Sequence, residues 1–266
     1  MQLFGHNSSK LLIVGMSGMG KSLLWTRFVL NADYPLRFIY DQEGEFAERL
    51  SITPARTVSE LEASLDTGWV VFDPEQLYPG NADAGFAFFC EWCYELSSKL
   101  RCPKLFACDE LQLLVDPQVI PWEFSALVET GRRRGIDLAL ATLSPNIINF
   151  RTRQQISELV TFGHDDKTAI KWLEEVGFDG EQVRALPQFE FLLRRKNPRT
   201  FQHGKISVEG PVKFFSGGPL TPPPKNPSSA HLPAGRAGEP AGSGDREAEQ
   251  DANLNLRPSG PVSPVP

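Results

Sequence analysis

The chain of 266 residues lacks several features that would place it in common classes of protein. It contains no apolar run of about 18 residues, which is the least that a membrane-spanning helix needs. It shows neither a signal peptide at its start nor an internal repeat. We therefore expect a soluble, cytoplasmic protein with no membrane-spanning segment.

Basic charge is also scarce. Lys and Arg number 27 against 33 Asp and Glu, which gives a net charge of −6. Binding nucleic acid over a broad surface requires many basic groups to neutralise phosphates, so this charge excludes a general nucleic-acid coat. Two local basic segments, Lys99–Lys104 and Arg151–Arg153, either contact DNA in a protein that encircles it or belong to the ordinary solvated surface.

Cysteine is limited to four residues. The spacing of Cys90 and Cys93 is that of half a zinc site, but no second Cys or His pair follows at a suitable distance. Both residues fall on one face of an apolar helical pattern, which favours buried free thiols in a reducing compartment. The other cysteines are Cys102 and Cys108, and the histidines, which form no metal-binding set, are His6, His164, His203 and His231.

The C-terminal segment, residues 216–266, is rich in Pro, Gly, Ser and Ala. Its few apolar side chains cannot offset the entropy lost on ordering the chain, so it is predicted to be a disordered tail. Residues 1–215 are then predicted to form one domain of ordinary size with an ample core.

Apolar strand patterns alternate with helical patterns through this domain. Continuous apolar strands between helices are typical of a parallel sheet covered on both faces, so we predict an α/β fold of the RecA-like P-loop NTPase type. Predicted strands are 11–14, 37–40, 69–72, 105–108, 138–142, 159–162 and 190–194, with a closing hairpin of 189–196 and 204–208. Predicted helices are 21–31, 43–50, 58–65, 84–100, 122–134 and 166–175.

Residues 11–22 read LLIVGMSGMGKS, an apolar strand that runs into a complete P-loop and then a helical pattern. Glycines let backbone N–H groups surround a phosphate chain, and the helix N-terminus adds partial positive charge there. We predict ATP binding, with Lys21 on the β- and γ-phosphates and the hydroxyl of Ser22 on Mg²⁺. The predicted nucleotide-binding residues are Gly15, Met16, Ser17, Gly18, Met19, Gly20, Lys21, Ser22 and Leu23.

A second apolar strand, KLFACDE at 104–110, ends in two acids. Such a strand directs its first acid, Asp109, toward Mg²⁺ and its second, Glu110, toward the attacking water. The alternative is that these acids cap a following helix. Beside a P-loop we favour the catalytic interpretation, and an Asp-Glu pair favours hydrolysis over transfer to a small substrate.

Polar residues near the strand 138–142 are further candidates. Arg132, Arg133 and Arg134 either provide favourable charge at a helix C-terminus closed by Gly135, or include an arginine finger that reaches the γ-phosphate of a neighbouring subunit. Thr142 or Ser144 would lie beside the P-loop if this strand neighbours it. The candidate catalytic residues are therefore Lys21, Glu110, Arg132, Arg133 and Thr142.

Four stretches together resemble the FtsK–HerA superfamily of P-loop ATPases, most of all the genome-packaging ATPases of membrane-containing phages. They are GMSGMGKS (15–22), FIYDQEGEF (38–46), LFACDE (105–110) and GRRRGIDLALATLSP (131–145). The resemblance covers residues 8–210. One departure concerns the sensor strand, where family members often carry Gln after Ala-Thr and this chain has Leu143.

The resemblance implies an ATP-hydrolysing motor that translocates double-stranded DNA during viral genome packaging. It implies a hexamer-like homo-oligomeric ring in the host cytoplasm or on the virion, in which Arg132–Arg134 would complete a neighbour's site. The Pro-rich tail either tethers a partner, such as a capsid or vertex protein, through extended segments or is only a spacer. Asp41, Glu43 and Glu45 either assist Mg²⁺ or subunit contacts or form a solvated acidic turn.

Two alternatives remain at this stage. A zonula-occludens-toxin-like phage assembly or secretion ATPase shares this type of domain, although such proteins usually carry a membrane-spanning segment where this chain has its Pro-rich tail. A P-loop small-molecule kinase would need an Arg-rich lid and an acceptor pocket, and the sequence shows no such lid.

Overall fold

The fold is built on one sheet of nine strands in the order β3-β2-β4-β5-β1-β6-β7-β8-β9. The computed structural model describes residues 10–116, 118, 120–148 and 150–215, so the predicted disordered tail lies outside the described residues. The strands are Lys10–Val14 (β1), Leu36–Tyr40 (β2), Trp69–Phe72 (β3), Lys104–Cys108 (β4), Ile136–Thr142 (β5), Glu158–Thr161 (β6), Glu190–Arg195 (β7), Thr200–Lys205 (β8) and Lys213–Phe214 (β9).

The first six strands are parallel and the last three are antiparallel additions at one edge. The central strands are buried throughout, since every residue of β1 and of β4 is buried. Burial on both faces explains why these segments read as continuous apolar runs. The predicted α/β fold with a mainly parallel sheet is confirmed.

Helices cover both faces of the sheet. They are Lys21–Asn31 (α1), Glu45–Leu50 (α2), Val58–Ser64 (α3), Ala82–Lys99 (α4), Trp122–Thr130 (α5), Phe150–Gln155 (α6), Lys167–Glu175 (α7) and Gly180–Arg184 (α8). Short 3-10 turns lie at Leu65–Thr67, Pro74–Gln76, Leu111–Leu113, Gly131–Arg134 and Pro145–Ile147. Among the described residues, no helix combines the length and the apolar character that a bilayer crossing requires.

An aromatic cluster on α4 fills one face of the sheet. The Phe89 ring stacks on Phe72 with centroids 5.1 Å apart, and Phe86 packs against Phe124 of α5 at 5.3 Å. Each fully buried Phe stabilises the fold by roughly 1.5–3 kcal/mol relative to an exposed one. Both α4 rings also pack against Phe106 of β4, at 6.2 Å and 5.8 Å, so the cluster anchors α4 on the sheet.

The cysteines of α4 belong to this core. Cys90 and Cys93 are both fully buried free thiols, and burial raises the pKa of each. In the described part of the chain, no three His, Cys, Asp or Glu side chains lie together in a way that could hold a metal ion. The prediction of buried free thiols on one helical face is confirmed for this pair.

Two predictions of element bounds were wrong. The second hairpin strand is Thr200–Lys205 rather than 204–208, because Arg195 pairs directly with Thr200 across a short turn. The helix predicted for 122–134 ends at Thr130, and a 3-10 turn over Gly131–Arg134 follows it. The short helices α6 and α8 were missed, since a helix of one or two turns carries too little hydrophobic periodicity to be recognised.

We predict that Gly204→Ala destabilises the protein. A Cβ at this position would lie 2.4 Å from the Phe191 ring, which is itself fully buried and packed between Phe162 and Phe214. Such overpacking costs about 1–3 kcal/mol. Urea unfolding measures the change, with exposed Lys213→Ala on β9 as the control, and an unchanged midpoint for Gly204→Ala would contradict the prediction.

Candidate active site

The P-loop lies at the carboxyl end of the central strand β1. Val14, the last residue of β1, pairs with Thr142 of β5 on one side and with Thr161 of β6 on the other. The loop therefore opens at the sheet edge where all six parallel strands end. In open parallel sheets this edge is where ligands bind.

The conformation of the loop leaves backbone donors available for phosphate. Gly20 occupies the N-cap position of α1 with a φ of 112°, in the left-handed region. Because glycine has no side chain, it cannot cap the first turn of the helix, and those N–H groups are left for an anion. The Gly20 carbonyl accepts from Leu24 N at 3.0 Å and so begins the helix.

Close packing also requires glycine in this loop. A Cβ on Gly15 would lie 2.6 Å from the Phe162 Cβ, and one on Gly20 would lie 3.0 Å from the Phe189 ring. Real Cβ atoms essentially never lie within 3.0 Å of another heavy atom, so Gly15 has no room for a side chain, and a Cβ on Gly20 would make an unusually tight contact.

Lys21 and Ser22 form the first turn of α1, next to the acids that end β4. Lys21 is only 4% exposed. Ser22 lines one small cavity together with Asp109 and Glu110, and the Asp109 carboxylate accepts from Glu110 N at 2.8 Å. Burial raises the pKa of Asp109, whereas the nearby Ser22 hydroxyl and the Glu110 N–H oppose that shift. The two motifs predicted to share one site therefore meet.

Glu110 departs from regular geometry at the end of β4. Its φ is 50°, which is uncommon for a residue other than glycine and places its side chain apart from the line of the strand. It precedes the 3-10 turn Leu111–Leu113, but its side chain makes no capping hydrogen bond. The helix-capping alternative for Glu110 therefore does not describe the structure.

Gln112 was missed by the sequence analysis. Its Nε2 donates to Glu110 Oε2, while its Oε1 accepts from Thr142 Oγ1 at 2.9 Å and from Leu143 N at 3.0 Å. This side chain joins the end of β4 to the end of β5. A lone Gln after an acidic pair has no sequence signature, because the contact depends on β4 and β5 being neighbours.

Thr142 was predicted to lie beside the P-loop if its strand neighbours the strand before the P-loop, and the structure meets this condition. It is fully buried, ends β5 and pairs with Val14, the residue before the P-loop. Its hydroxyl is directed to Gln112 and to the Ser144 carbonyl, at 3.3 Å. Ser144 instead accepts from Asn146 N at 3.3 Å and caps a 3-10 turn. Thr142 is thus the better placed of the two candidates.

The three arginines lie at the other end of the sheet. They precede β5, whereas the P-loop follows β1, so at least the length of a strand, about 17 Å, separates them. Arg134 packs on α4, with its guanidinium 3.5 Å from the Tyr94 ring and a 2.6 Å bond to the Tyr94 carbonyl. Arg132 and Arg133 are exposed, and Gly135 closes the turn as predicted.

A groove of about 730 Å³ surrounds these arginines. It is much larger than the cavity of about 80 Å³ beside Ser22 and Asp109. The larger groove lies at the edge of the sheet opposite the predicted nucleotide site, whereas the small cavity lies at that site. Its lining includes exposed Arg101, Arg132 and Arg133, and it gives this edge local positive charge within an acidic protein.

The two basic segments are less available than their sequence suggests. Lys104 is buried, and its ammonium donates to the carbonyls of Leu100 at 2.7 Å and Arg134 at 3.0 Å. Arg153 is half-buried and donates to the Ile148 carbonyl at 2.5 Å. Lys104 is therefore a structural residue, which corrects both interpretations offered for it.

The acidic turn after β2 is partly structural as well. Asp41 is buried and accepts from Ala47 N at 2.8 Å and from Phe46 N at 3.2 Å, which fixes the start of α2. Burial raises the pKa of Asp41, whereas these N–H donors lower it. A solvated turn is thus wrong for Asp41. Glu43 and Glu45 line the small cavity that also contains Asp109.

The segment before β7 holds the P-loop from outside. Gln188 Nε2 donates to the Gly18 carbonyl at 2.9 Å, and Phe189 N donates to the Met19 carbonyl at 3.0 Å. Phe189 has a φ of 67°, a left-handed conformation that turns the chain into β7. These contacts could not be predicted from the sequence, because they join residues that are far apart along the chain.

His164 is a buried histidine on the same side of the site. It is 3% exposed, and its Nε2 has no hydrogen-bond partner among the described residues. It follows Gly163, whose carbonyl accepts from Met16 N of the P-loop at 3.3 Å. Burial, with a smaller contribution from Lys21, lowers the pKa of His164 to about 4, while Asp166 opposes the shift.

Comparisons with known proteins identify the fold. No protein-family model and no curated protein matches the sequence. The genome packaging NTPase B204 from Sulfolobus turreted icosahedral virus 2, in complex with sulfate, superposes with a TM-score of 0.61 at 18% identity, over 76% of this chain and 98% of that one. The chain has the fold of a P-loop ATPase.

Two other solved structures are similar at lower sequence identity. VirB4 of Thermoanaerobacter pseudethanolicus has a TM-score of 0.53 at 12% identity, over 77% of this chain and 90% of its own. The Thermomonospora curvata EccC ATPases 2 and 3 have a TM-score of 0.50 at 12% identity, over 77% of this chain and 37% of that one. The resemblance to FtsK–HerA-like and viral packaging ATPases is confirmed at the level of the fold.

We predict that His164 makes the protein less stable in mild acid. Its folded pKa of about 4 lies below the ordinary 6.5, so the unfolded chain binds the proton first as the pH falls. Stability is therefore retained above pH ~6.5 and lost toward pH ~4, by up to about 3 kcal/mol. The His164→Gln variant has no titrating group at this position, so its free energy of unfolding should fall by up to about 3 kcal/mol less than that of the wild type over the same pH range.

Urea unfolding of both proteins at several pH values between 4 and 7 measures this difference. The variant keeps the buried carboxyls Asp41 and Asp109, so its pH dependence reports the groups other than His164. The difference between the two proteins is then the contribution of His164. Parallel pH dependences for the two proteins would contradict the prediction.

Proposed function

We propose that this protein hydrolyses ATP to drive the translocation of double-stranded DNA, as a viral genome-packaging motor. The observation that carries ATP hydrolysis is that the two motifs meet at one small cavity. Ser22 of the P-loop lines this cavity together with Asp109 and Glu110, the two acids that follow β4. A phosphate-binding loop, a cation-binding pair and a candidate base therefore share one sheet edge.

The residues present fit ATP with Mg²⁺. Ser22 and Asp109 are both oxygen ligands, and Mg²⁺ is usually held by one or two protein groups with phosphate and water in its other positions. Ser22 and Asp109 would hold the ion there, and its positive charge would oppose the negative charge that develops on the phosphates. The open N–H groups at the start of α1 and the buried Lys21 supply further positive charge.

Glu110 is the proposed general base. One of its oxygens is occupied by Gln112, which leaves the other for the attacking water. In phosphoryl transfer the protein contributes chiefly position and charge, so a base fixed in place beside the phosphates is the main requirement.

The proposal of DNA translocation is supported by similarity of fold and by local positive charge. B204, which the chain resembles over nearly the whole length of that protein, is a genome packaging NTPase. Lys99 and Arg101, in the basic segment Lys99–Lys104, are exposed and give an acidic subunit local positive charge that a DNA backbone would attract. A secretion or assembly ATPase is the second candidate, because the similar EccC structure belongs to a type VII secretion ATPase.

We also propose that the subunits form a hexamer-like ring. Arg132 and Arg133 are exposed and lie too far from their own P-loop to reach it, so an arginine finger from this turn would act on a neighbour. A capsid or vertex protein remains the proposed partner of the tail, which lies outside the described residues.

We expect the purified protein to hydrolyse ATP, with turnover stimulated by linear double-stranded DNA. Glu110→Gln should lower kcat by about 10²–10⁴-fold and leave ATP binding intact, because only proton transfer is lost. The matched control is Glu62→Gln, an exposed residue of α3. Turnover that ignores DNA would favour the secretion or assembly ATPase, and full activity of Glu110→Gln would exclude its role as the base.

Mixed rings test the arginines. Arg132→Ala/Arg133→Ala subunits and Glu110→Gln subunits should each be inactive alone, since loss of an arginine finger costs about 10³–10⁵-fold in kcat. Mixing them should restore part of the activity, because an intact base can then face an intact arginine. Activity of the mixture no greater than the sum of its parts would contradict action between subunits.

A further inference from the structure

We infer that Gln112 is a positioning residue that fixes the carboxylate of Glu110 for attack on the nucleotide and ties it to the end of β5. The inference rests on the proposed ATPase function and adds to it a residue that neither motif contains. It is carried by three hydrogen bonds of one side chain.

The first step of the argument concerns the orientation of the amide. Gln112 Oε1 accepts two bonds, one from the hydroxyl of Thr142, the last residue of β5, at 2.9 Å and one from N of the next residue, Leu143, at 3.0 Å. The first donor lies in the sheet and the second follows it directly. With its oxygen held twice, the amide must present its NH₂ group on the other side.

The second step concerns what the NH₂ group meets. It donates to Glu110 Oε2, a hydrogen bond to a charged acceptor and hence of the stronger kind. Glu110 needs such support, because its left-handed backbone, with a φ of 50°, places it beyond the regular strand. An unsupported carboxylate in that position would be free to change rotamer.

The third step concerns the connection to the P-loop. Thr142 pairs with Val14, the residue that leads into the P-loop, and it is fully buried. A displacement of the P-loop edge on nucleotide binding would therefore be passed through Thr142 and Gln112 to the carboxylate of Glu110. Gln112 links the position of the base to the strand beside the phosphates.

The experiment compares Gln112→Met with the wild type. Methionine has a similar length and volume but no hydrogen bonds, so we expect kcat to fall about 10–100-fold with the dissociation constant of a non-hydrolysable ATP analogue unchanged. In the Glu110→Gln background the same substitution should have no further effect, because the group that it positions is already gone. Gln76→Met, in another 3-10 turn at an exposed position, is the control.

A second pair of variants keeps the inference testable if methionine disturbs folding. Gln112→Glu keeps the shape and sets a second carboxylate against Glu110, which should move the acid limb of the pH–kcat profile upward. Thr142→Val removes one anchor and should lower kcat less than Gln112→Met, without an additive loss when the two are combined.

The outcomes separate the two proposals. An active wild type, an inactive Glu110→Gln and an unimpaired Gln112→Met would overturn the positioning role and leave the ATPase standing. Equal further losses from Gln112→Met with and without Glu110 would also overturn it, as a purely structural effect. A wild type without ATP hydrolysis would overturn both.

Discussion

The site depends on the burial of β1 between two parallel neighbours. Every residue of this strand is buried. Its register with β5 and β6 determines where along the strands the P-loop leaves the sheet. Parallel strands end at the same edge, so the acids after β4 and the threonine that ends β5 arrive at the same level. The pairing of the strands is therefore enough to bring the P-loop and the acidic pair together.

Much of this arrangement could be predicted from the sequence. The seven strands predicted from 11–14 to 190–194 begin within two residues of their observed starts, and the glycine pattern identified the P-loop from the sequence alone. The position of Thr142 beside the P-loop was predicted on condition that β5 neighbours β1, and this condition is met. Buried parallel strands have a strong local signal, which explains these successes.

Contacts that depend on the order of the strands or on one unusual dihedral angle could not be predicted from the sequence. Gln112 reaches Glu110 only because β4 lies beside β5 and because Glu110 adopts a left-handed conformation. Lys104 looked like a surface charge, but neighbouring carbonyls bury its ammonium group. Side chains of this kind have no periodicity, so their partners are known only once the fold is known.

The contact of Gln188 with Gly18 has a consequence for the order of folding. It joins residues 170 positions apart, and Phe189 adds a second bond to the same loop. A growing chain could form β1 and α1 early, yet its phosphate-binding loop would remain unsupported until the final hairpin is synthesised. Tight binding of nucleotide would thus mark a subunit whose last strands are already in place.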